Sequence, residues 1–352
     1  MHSAILLATL CTALVSAIPL DTTQPFAGNL PYGFIDFPSS IQPYTSAFAP
    51  ITPPQSTATP WLKEQFDTYP TPHQTPNSRD IQSAGYPFKK FPNVIYGRHH
   101  LNNYAIVSYL GSGRFGHVFL AFTDGQYVAI KLIDPDVYHP EEFRIQKRLA
   151  SLDGVVRVLC EFNDAKRKGF VMEAANGGNL ESLAKKGMND TMAKEVMVQL
   201  VRTLTDIHSK DITVRDIKPD NVLLFKKDGK LVAKFADFGL AKEGDAPYGE
   251  EVGHLDYRAP ELVTKQPLAA YKPVDVFALG GTLYSMLSKG AAPPLDKTRT
   301  IGKLGVLQTA SPEWLAFQRT HPKAAQLAQR MLKTDPKERP TAAEVLALVQ
   351  DI

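Results

Sequence analysis

The chain has 352 residues, 43% of them hydrophobic and 21% charged, with a formal net charge of +3. That length and balance can supply a core for one large domain or two modest ones. So small an excess of positive charge, with no dense Lys/Arg run, argues against a polyanion-binding protein and predicts no nucleic-acid partner.

Met1-His2-Ser3 leads into an apolar run over residues 4–15, and Val15-Ser16-Ala17 then offers a cleavage site before Ile18-Pro19. This is the layout of a secretory signal peptide over residues 1–17, with processing expected after Ala17. The run is shorter than the roughly 20 residues a bilayer-spanning helix needs. No other stretch is long and apolar enough, so no stable membrane span is expected. The expected location is secreted or in the lumen of the secretory pathway; if the apolar run is not a signal, the alternative is cytoplasmic. The only cysteines are Cys11 and Cys160, so a processed chain cannot form an internal disulfide. That suits a large-core domain better than a small stapled module, and it weighs against secretion. Residues 18–96 form a Pro-rich extension, with Pro50, Pro53, Pro54, Pro60, Pro70, Pro72 and Pro76 among Thr, Ser and Gln. Proline removes backbone donors and pushes its predecessor away from helix, so this stretch is expected to be mostly disordered.

From residue 97 the punctuation becomes regular. Residues 104–109 and 118–122 read as strands around a Gly-rich turn, and 127–132 as a third strand. Residues 141–152 carry Ile145, Leu149 and Leu152 at helical spacing behind two acids. Residues 155–159 and 169–173 read as further strands. After Gly178 the pattern turns helical: 191–208, with Val196, Leu200, Leu204 and Ile207 on one face, then 279–287 and 324–332. A strand-rich half before a helix-rich half predicts an α+β architecture of two lobes.

The glycine turn is Gly111-Ser112-Gly113-Arg114-Phe115-Gly116 followed by Val118. Glycines let backbone N–H groups approach phosphate oxygens closely. A dinucleotide fingerprint opens a helix after its strand; here a strand follows, which favours a loop folded over a nucleotide. Ala129 and Lys131 lie in Val128-Ala129-Ile130-Lys131, where the lysine can meet phosphates. Such a lysine needs an orienting carboxylate, for which Glu142 is the choice and Glu141 the alternate. Further on come Val214-Arg215-Asp216-Ile217-Lys218-Pro219-Asp220-Asn221, then Asp237-Phe238-Gly239, then Ala259-Pro260-Glu261. Asp216 can accept a hydrogen bond from an attacking hydroxyl, Lys218 can neutralise phosphate charge, and Asn221 and Asp237 can hold a metal ion. Transfer of a phosphoryl group asks for this set because its catalysis is mostly positioning and charge stabilisation.

In order and spacing these five motifs resemble the eukaryotic protein kinases, over about residue 97 to the end. The resemblance implies a kinase fold with a small β-rich N-lobe (about 97–173) and a larger helical C-lobe (about 176–352). It implies ATP and Mg2+ as cofactors and a protein substrate, and it leaves the oligomeric state open. Met172, Glu173 and Ala175 resemble the hinge that meets adenine, and Asn179 falls near the ribose. Asp275 and Gly280 resemble residues of the buried large-lobe helix, and Arg339 resembles the arginine that pairs with Glu261. Lys218, two residues after Asp216, resembles the serine/threonine type. Leu240, directly after Asp237-Phe238-Gly239, implies serine over threonine as acceptor.

Two positions depart from the family pattern. Val214 stands where the family usually has His, which affects packing more than chemistry. His254 stands where a Thr usually bonds the catalytic Asp and Lys, so either His254 substitutes or the site is slower. Between Gly239 and Ala259 there is no Ser or Thr, only Tyr248 and Tyr257. Activity is therefore expected without phosphorylation of this segment, with Glu250 or Glu251 pairing with Arg215. The rival reading is a pseudokinase acting as a binding or scaffolding module; the joint presence of Lys131, Asp216, Asn221 and Asp237 argues against it.

Overall fold

The computed structural model describes residues 100–101, 104–113, 116–123, 126–133, 138–163, 168–244, 252–262, 272–298 and 304–352. The expected signal peptide, the Pro-rich extension, Arg114, Phe115, Tyr248, Glu250 and Glu251 lie outside the described residues. The first half is an antiparallel sheet in the order β1-β2-β3-β4-β6-β5. Its strands are β1 (His100–Leu101), β2 (Tyr104–Gly113), β3 (Gly116–Thr123), β4 (Gln126–Ile133), β5 (Val158–Asn163) and β6 (Lys168–Glu173). Alternate residues feed two faces. Phe119, Ala121, Val128, Ile130 and Leu132 pack with Cys160 and Val171 on one face. Ala129, Ile133, Phe170 and Met172 pack with Val156, Val158 and Ala236 on the other. The strand that carries Lys131 is thus buried on both sides.

Helix α1 (Pro140–Arg148) starts with proline, has Glu141 and Glu142 in its first turn and ends in Lys147 and Arg148. Each of these choices suits the helix dipole. It stops short of the expected residue 152. Leu149 caps it, and residues 150–154 turn so that Gly154 meets Thr203, where an added Cβ would lie 1.8 Å from Thr203 Oγ1. The strand expected at 155–159 begins only at Val158; Val155 instead makes a single parallel bridge to Phe235 in the second half.

The second half is mainly helical: α2 (Leu180–Lys186), α3 (Asp190–Ser209), α4 (Lys272–Leu287), α5 (Pro312–Thr320), α6 (Pro322–Met331) and α7 (Ala342–Leu348). Short strands β7 (Ile212–Thr213), β8 (Val222–Lys227), β9 (Lys230–Phe235) and β10 (Lys242–Glu243) lie between α3 and α4 in sequence. The β8–β9 hairpin turns at Asp228-Gly229, both at positive φ, as a tight hairpin requires. Every residue of α4 from Val274 to Leu287 is buried, so this helix is the axis of the lobe. Phe238, Val214 and the α1 residues Ile145 and Leu149 belong to the same apolar cluster as α3 and α4. The α1 helix therefore packs across both lobes. Among the described residues, no helix is long and apolar enough to cross a membrane.

Candidate active site

The β2–β3 hairpin pairs Gly111 with Val118, Ser112 with His117 and Gly113 with Gly116. The strands run on through most of the predicted glycine turn. Gly116 has φ +155, and an added Cβ would lie 2.1 Å from the Leu132 carbonyl oxygen, so only glycine fits. No atom would lie within 4 Å of a Cβ on Gly111.

Behind this hairpin, Ala129 and Met172 share an apolar cluster with Ala236, against which Val118, Ala174 and Leu223 pack. These apolar side chains come from both halves of the chain. Glu173 points its carboxylate elsewhere: it accepts from Lys234 Nζ at 2.6 Å and from the Arg157 N–H at 2.8 Å. Its backbone is what it can offer a ligand. Ala175 is half-buried in the connection to α2. Asn179 caps α2 by accepting from the Ser182 N–H at 2.9 Å, which occupies its side-chain oxygen. Leu223 was hidden in the apolar run 222–225. Its signal is the strand alternation, which buries Val222 and Leu224 and turns Leu223 toward the cluster of Ala129, Met172 and Ala236.

At the back, Lys131 Nζ lies 2.6 Å from Glu142 Oε1 and 2.9 Å from Asp237 Oδ1. The alternate, Glu141, lies on the exposed side with Arg144. Burial works against the lysine's charge, but Asp237 and Glu142 outweigh it and raise its pKa. Burial pushes Asp237 up as well, yet Lys131 and the Gly239 N–H hold it below the usual carboxylate range. Glu142 is pushed up by burial, against the pull of Lys131. Lys131 thus stays cationic and Asp237 stays anionic. Asp237 sits at φ 59, an uncommon backbone state for a non-glycine residue, with Phe238 buried beside it.

The loop before β8 is built on Asp275. This fully buried carboxylate accepts from the Val214 N–H at 2.8 Å, the Arg215 N–H at 2.8 Å and His208 Nε2 at 2.9 Å. Those bonds hold Arg215 at φ 67 and leave the Val214 side chain in the apolar core, where an aliphatic residue fits. Arg215 also donates from Nε to the Leu240 carbonyl at 2.6 Å.

Asp216 follows. Asn221 Nδ2 donates to its Oδ2 at 2.8 Å and to its carbonyl at 2.9 Å. Lys218 Nζ lies 3.7 Å from Oδ2. The Ala236 N–H donates to the Asn221 carbonyl at 2.8 Å, which sets Asn221 beside Asp237. The His254 N–H donates to Asp216 Oδ1 at 3.0 Å. The His254 imidazole, one of two alternatives left open for the missing Thr, is turned aside, with its Nδ1 accepting from the Asp256 N–H at 3.3 Å. Backbone geometry, which residue identity does not reveal, makes the contact. Glu261 and Arg339 meet through two parallel bonds of 2.5 and 2.7 Å, both side chains buried.

The arrangement sets one cation between two carboxylates, on the strand whose Ala129 joins an apolar cluster with Met172 and Ala236. Beside it stands a third carboxylate whose oxygens are both held by fixed donors. Residues 104–349 match the family model described as protein kinase domain. The chain is 30% identical to cAMP-dependent protein kinase type 3 of Saccharomyces cerevisiae, over 74% of this chain and 67% of the yeast protein. It is 31% identical to calcium-dependent protein kinase 33 of Arabidopsis thaliana, over 69% of this chain and 49% of the plant protein. It is also 31% identical to calcium/calmodulin-dependent protein kinase type II of Caenorhabditis elegans, over 70% of this chain and 35% of that protein. The chain spans about two thirds of the yeast relative and half or less of the other two. With that match over most of its length and a β-rich lobe set on a helical one, the chain belongs to the protein kinase domain family.

Proposed function

We propose that the chain is a protein serine/threonine kinase that transfers the γ-phosphate of ATP to a protein hydroxyl, with serine preferred. One observation carries this reading: Lys131 joins Glu142 and Asp237 while Asp216 is independently held through both carboxylate oxygens. A chain that had lost catalysis would have no need of the second half of that arrangement. The relatives in yeast, plant and nematode support a kinase that acts on proteins.

In this reading the slot of Val118, Ala129, Met172 and Leu223 takes adenine, and the hinge backbone at Glu173 and Ala175 offers hydrogen bonds. Asn179 can reach a ribose through its amide nitrogen. The hairpin residues Gly111, Ser112, Gly113 and Gly116 cover the phosphates, and Lys131 holds them. Asp237 and Asn221 fit Mg2+, which binds few protein oxygens and takes the rest from phosphate and water. The ionised state of Asp237 suits that part. When bound, Mg2+ supplies charge neutralisation on the phosphates. Asp216 accepts the hydroxyl proton, and Lys218 steadies the charge developing on the transferred group. Entry into the secretory pathway with removal of residues 1–17 belongs to the same proposal and rests on the sequence alone. An intact Met1 on natively expressed protein, read by mass spectrometry, would reject it.

The test is an assay of the purified chain with Mg-ATP and a mixed set of serine and threonine peptides. Wild type is expected to phosphorylate them, and Asp216→Ala and Asp237→Ala to lose transfer while remaining folded, with a cooperative thermal transition. Wild-type kcat in either variant overturns the mechanism.

A further inference from the structure

Helix α1 carries Glu142, and something must hold that helix in place. With nine residues it is too short to be stable alone. Its N-cap residue, His139, makes no side-chain capping bond. Its anchors are therefore tertiary. Ile145 and Leu149 enter the large-lobe core, and Gln146 Nε2 donates to the Val156 carbonyl at 2.7 Å. The opposite, exposed side presents Arg144 and Arg148, one turn apart.

Both arginines converge on one carboxylate. Arg144 Nη1 donates to Glu243 Oε2 at 2.8 Å, and Arg148 Nη1 lies 2.8 Å from Glu243 Oε1. Arg148 Nη2 also donates to the Lys210 carbonyl at 3.0 Å. Glu243 is itself fixed by backbone pairing. It lies opposite Ile212 in the β10–β7 ladder, and the Gly244 N–H donates to the Asp211 carbonyl at 2.9 Å. The partner strand β7 runs on through Val214 and Arg215 to Asp216. One carboxylate therefore connects the helix that bears Glu142 to the strand pair that leads into the loop of Asp216.

We infer that Glu243 is a positioning residue: it holds α1 across the lobes so that Glu142 stays on Lys131, and it does so without phosphorylation. This rests on reading the cleft as a phosphoryl-transfer site. The segment between Gly239 and Ala259 contains no Ser or Thr. A carboxylate pairs with arginine as a phosphate does, with less charge. The arrangement is a permanent form of a contact that modification would otherwise create. Arg144 and Arg148 hold the Glu243 carboxyl below its ordinary value, so the pairing persists throughout the neutral range. The expected partner of Arg215, Glu250 or Glu251, lies outside the described residues; the carboxylate that engages arginines here is Glu243 on β10, and those arginines are Arg144 and Arg148 on α1.

The arginines are about half exposed, so each contact is modest and salt-sensitive, and the effect should be several-fold rather than absolute. The experiment uses the full chain made in bacteria and shown by mass spectrometry to be unphosphorylated. Glu243→Gln is expected to raise the KM for ATP and lower kcat/KM by about threefold to tenfold. It should also speed amide exchange in residues 140–148 while leaving residues 190–209 unchanged. Raising salt should weaken wild type toward Glu243→Gln and affect the variant little. A charge swap, Glu243→Arg with Arg144→Glu and Arg148→Glu, should recover most of what Glu243→Arg alone loses. Arg144→Gln with Arg148→Gln approaches the contact from the helix side and should reproduce Glu243→Gln. Unchanged exchange in 140–148 with kcat/KM within twofold of wild type overturns the inference. So does an unphosphorylated wild type that becomes active only on phosphorylation of Tyr248. If wild type transfers no phosphate under any condition, the proposed function fails, and the exchange measurement still decides whether Glu243 holds the helix.

Discussion

Asp216 is held by a backbone group from the far end of the segment between Gly239 and Ala259: the His254 N–H reaches its Oδ1 at 3.0 Å. The chain can come that close because Gly253, at φ +84, precedes it. A Cβ on Gly253 would lie 2.7 Å from the Arg215 carbonyl oxygen. Arg258 then fixes the Gly253 carbonyl from the other side at 2.6 Å. It is thus the backbone of His254, and not its side chain, that reaches Asp216.

This gives a paired expectation. Gly253→Ala must move either the segment or the Asp216 loop, and displacement of a proton acceptor by an ångström can cost about 100-fold in rate. His254→Ala keeps the N–H and should lower kcat far less, by no more than about threefold. Steady-state kinetics with both variants decide the matter. A larger loss for His254→Ala than for Gly253→Ala would mean that the imidazole acts directly.

Asp275 has a structural task with a measurable cost. Its removal leaves the Val214 and Arg215 N–H groups and His208 without the acceptor they now share. It also releases Arg215 from its positive φ. Unsatisfied buried donors cost roughly 1–3 kcal/mol each. Asp275→Ala is expected to lose about 3 kcal/mol or more of stability, a fall in Tm of about 6–12 °C for a domain of this size. Differential scanning calorimetry reads this directly. A Tm within 2 °C of wild type, roughly the effect of 1 kcal/mol or less, would show that water or another group takes over.

The Glu261–Arg339 pair tests geometry separately from charge. Arg339 Nε donates to the Lys333 carbonyl at 2.8 Å, Nη1 to Pro273 at 3.0 Å and Nη2 to Thr334 at 3.1 Å, besides the two bonds to Glu261. Its guanidinium also lies 4.8 Å from the Phe277 ring centroid. A lysine keeps the charge but not the fork or the stacking. Arg339→Lys is expected to cost about 2 kcal/mol, and Arg339→Ala about 3–5 kcal/mol because it strands a buried carboxylate. Urea unfolding should rank the variants in that order. Equal midpoints for Lys and wild type would show that charge alone suffices.

These contacts also show what could be read in advance. Strand alternation exposed the sheet, and helical spacing exposed α3, because burial on one face leaves a period in the sequence. Lys131, Glu142 and Asp237 could be singled out although Asp237 lies 106 positions from Lys131, because a phosphate site restricts which residues may stand in each motif. The end of α1 was not legible. Leu152 continues the helical period, and the turn comes from the fit of Gly154 against Thr203, a contact made 49 positions away in sequence. Glu243 was equally hidden: it is one acid among several in its segment, and only the β10–β7 pairing sets it apart. Contacts made by backbone, such as the His254 N–H, leave no trace in residue identity.

The last expectation concerns the acceptor hydroxyl. Leu240 follows Asp237-Phe238-Gly239, and its carbonyl accepts from Arg215 Nε at 2.6 Å. Because Arg215 is itself held by Asp275, the backbone of Leu240 is locked to the loop that carries Asp216. The Leu240 side chain is half-buried and unbranched at Cβ. In the kinases this chain resembles, such a residue leaves room for serine and crowds the methyl group of threonine. A steric preference of about one methyl group corresponds to roughly 1–3 kcal/mol, or about tenfold to 200-fold in kcat/KM. Matched peptides differing only in Ser or Thr at the acceptor should show it, with serine the faster. Leu240→Val moves bulk onto Cβ and should narrow or invert the ratio without changing the KM for ATP, since Leu240 is not part of the apolar cluster of Ala129, Met172 and Leu223. A wild-type enzyme faster on threonine, or a ratio unmoved by Leu240→Val, would show that the acceptor is chosen elsewhere in the cleft.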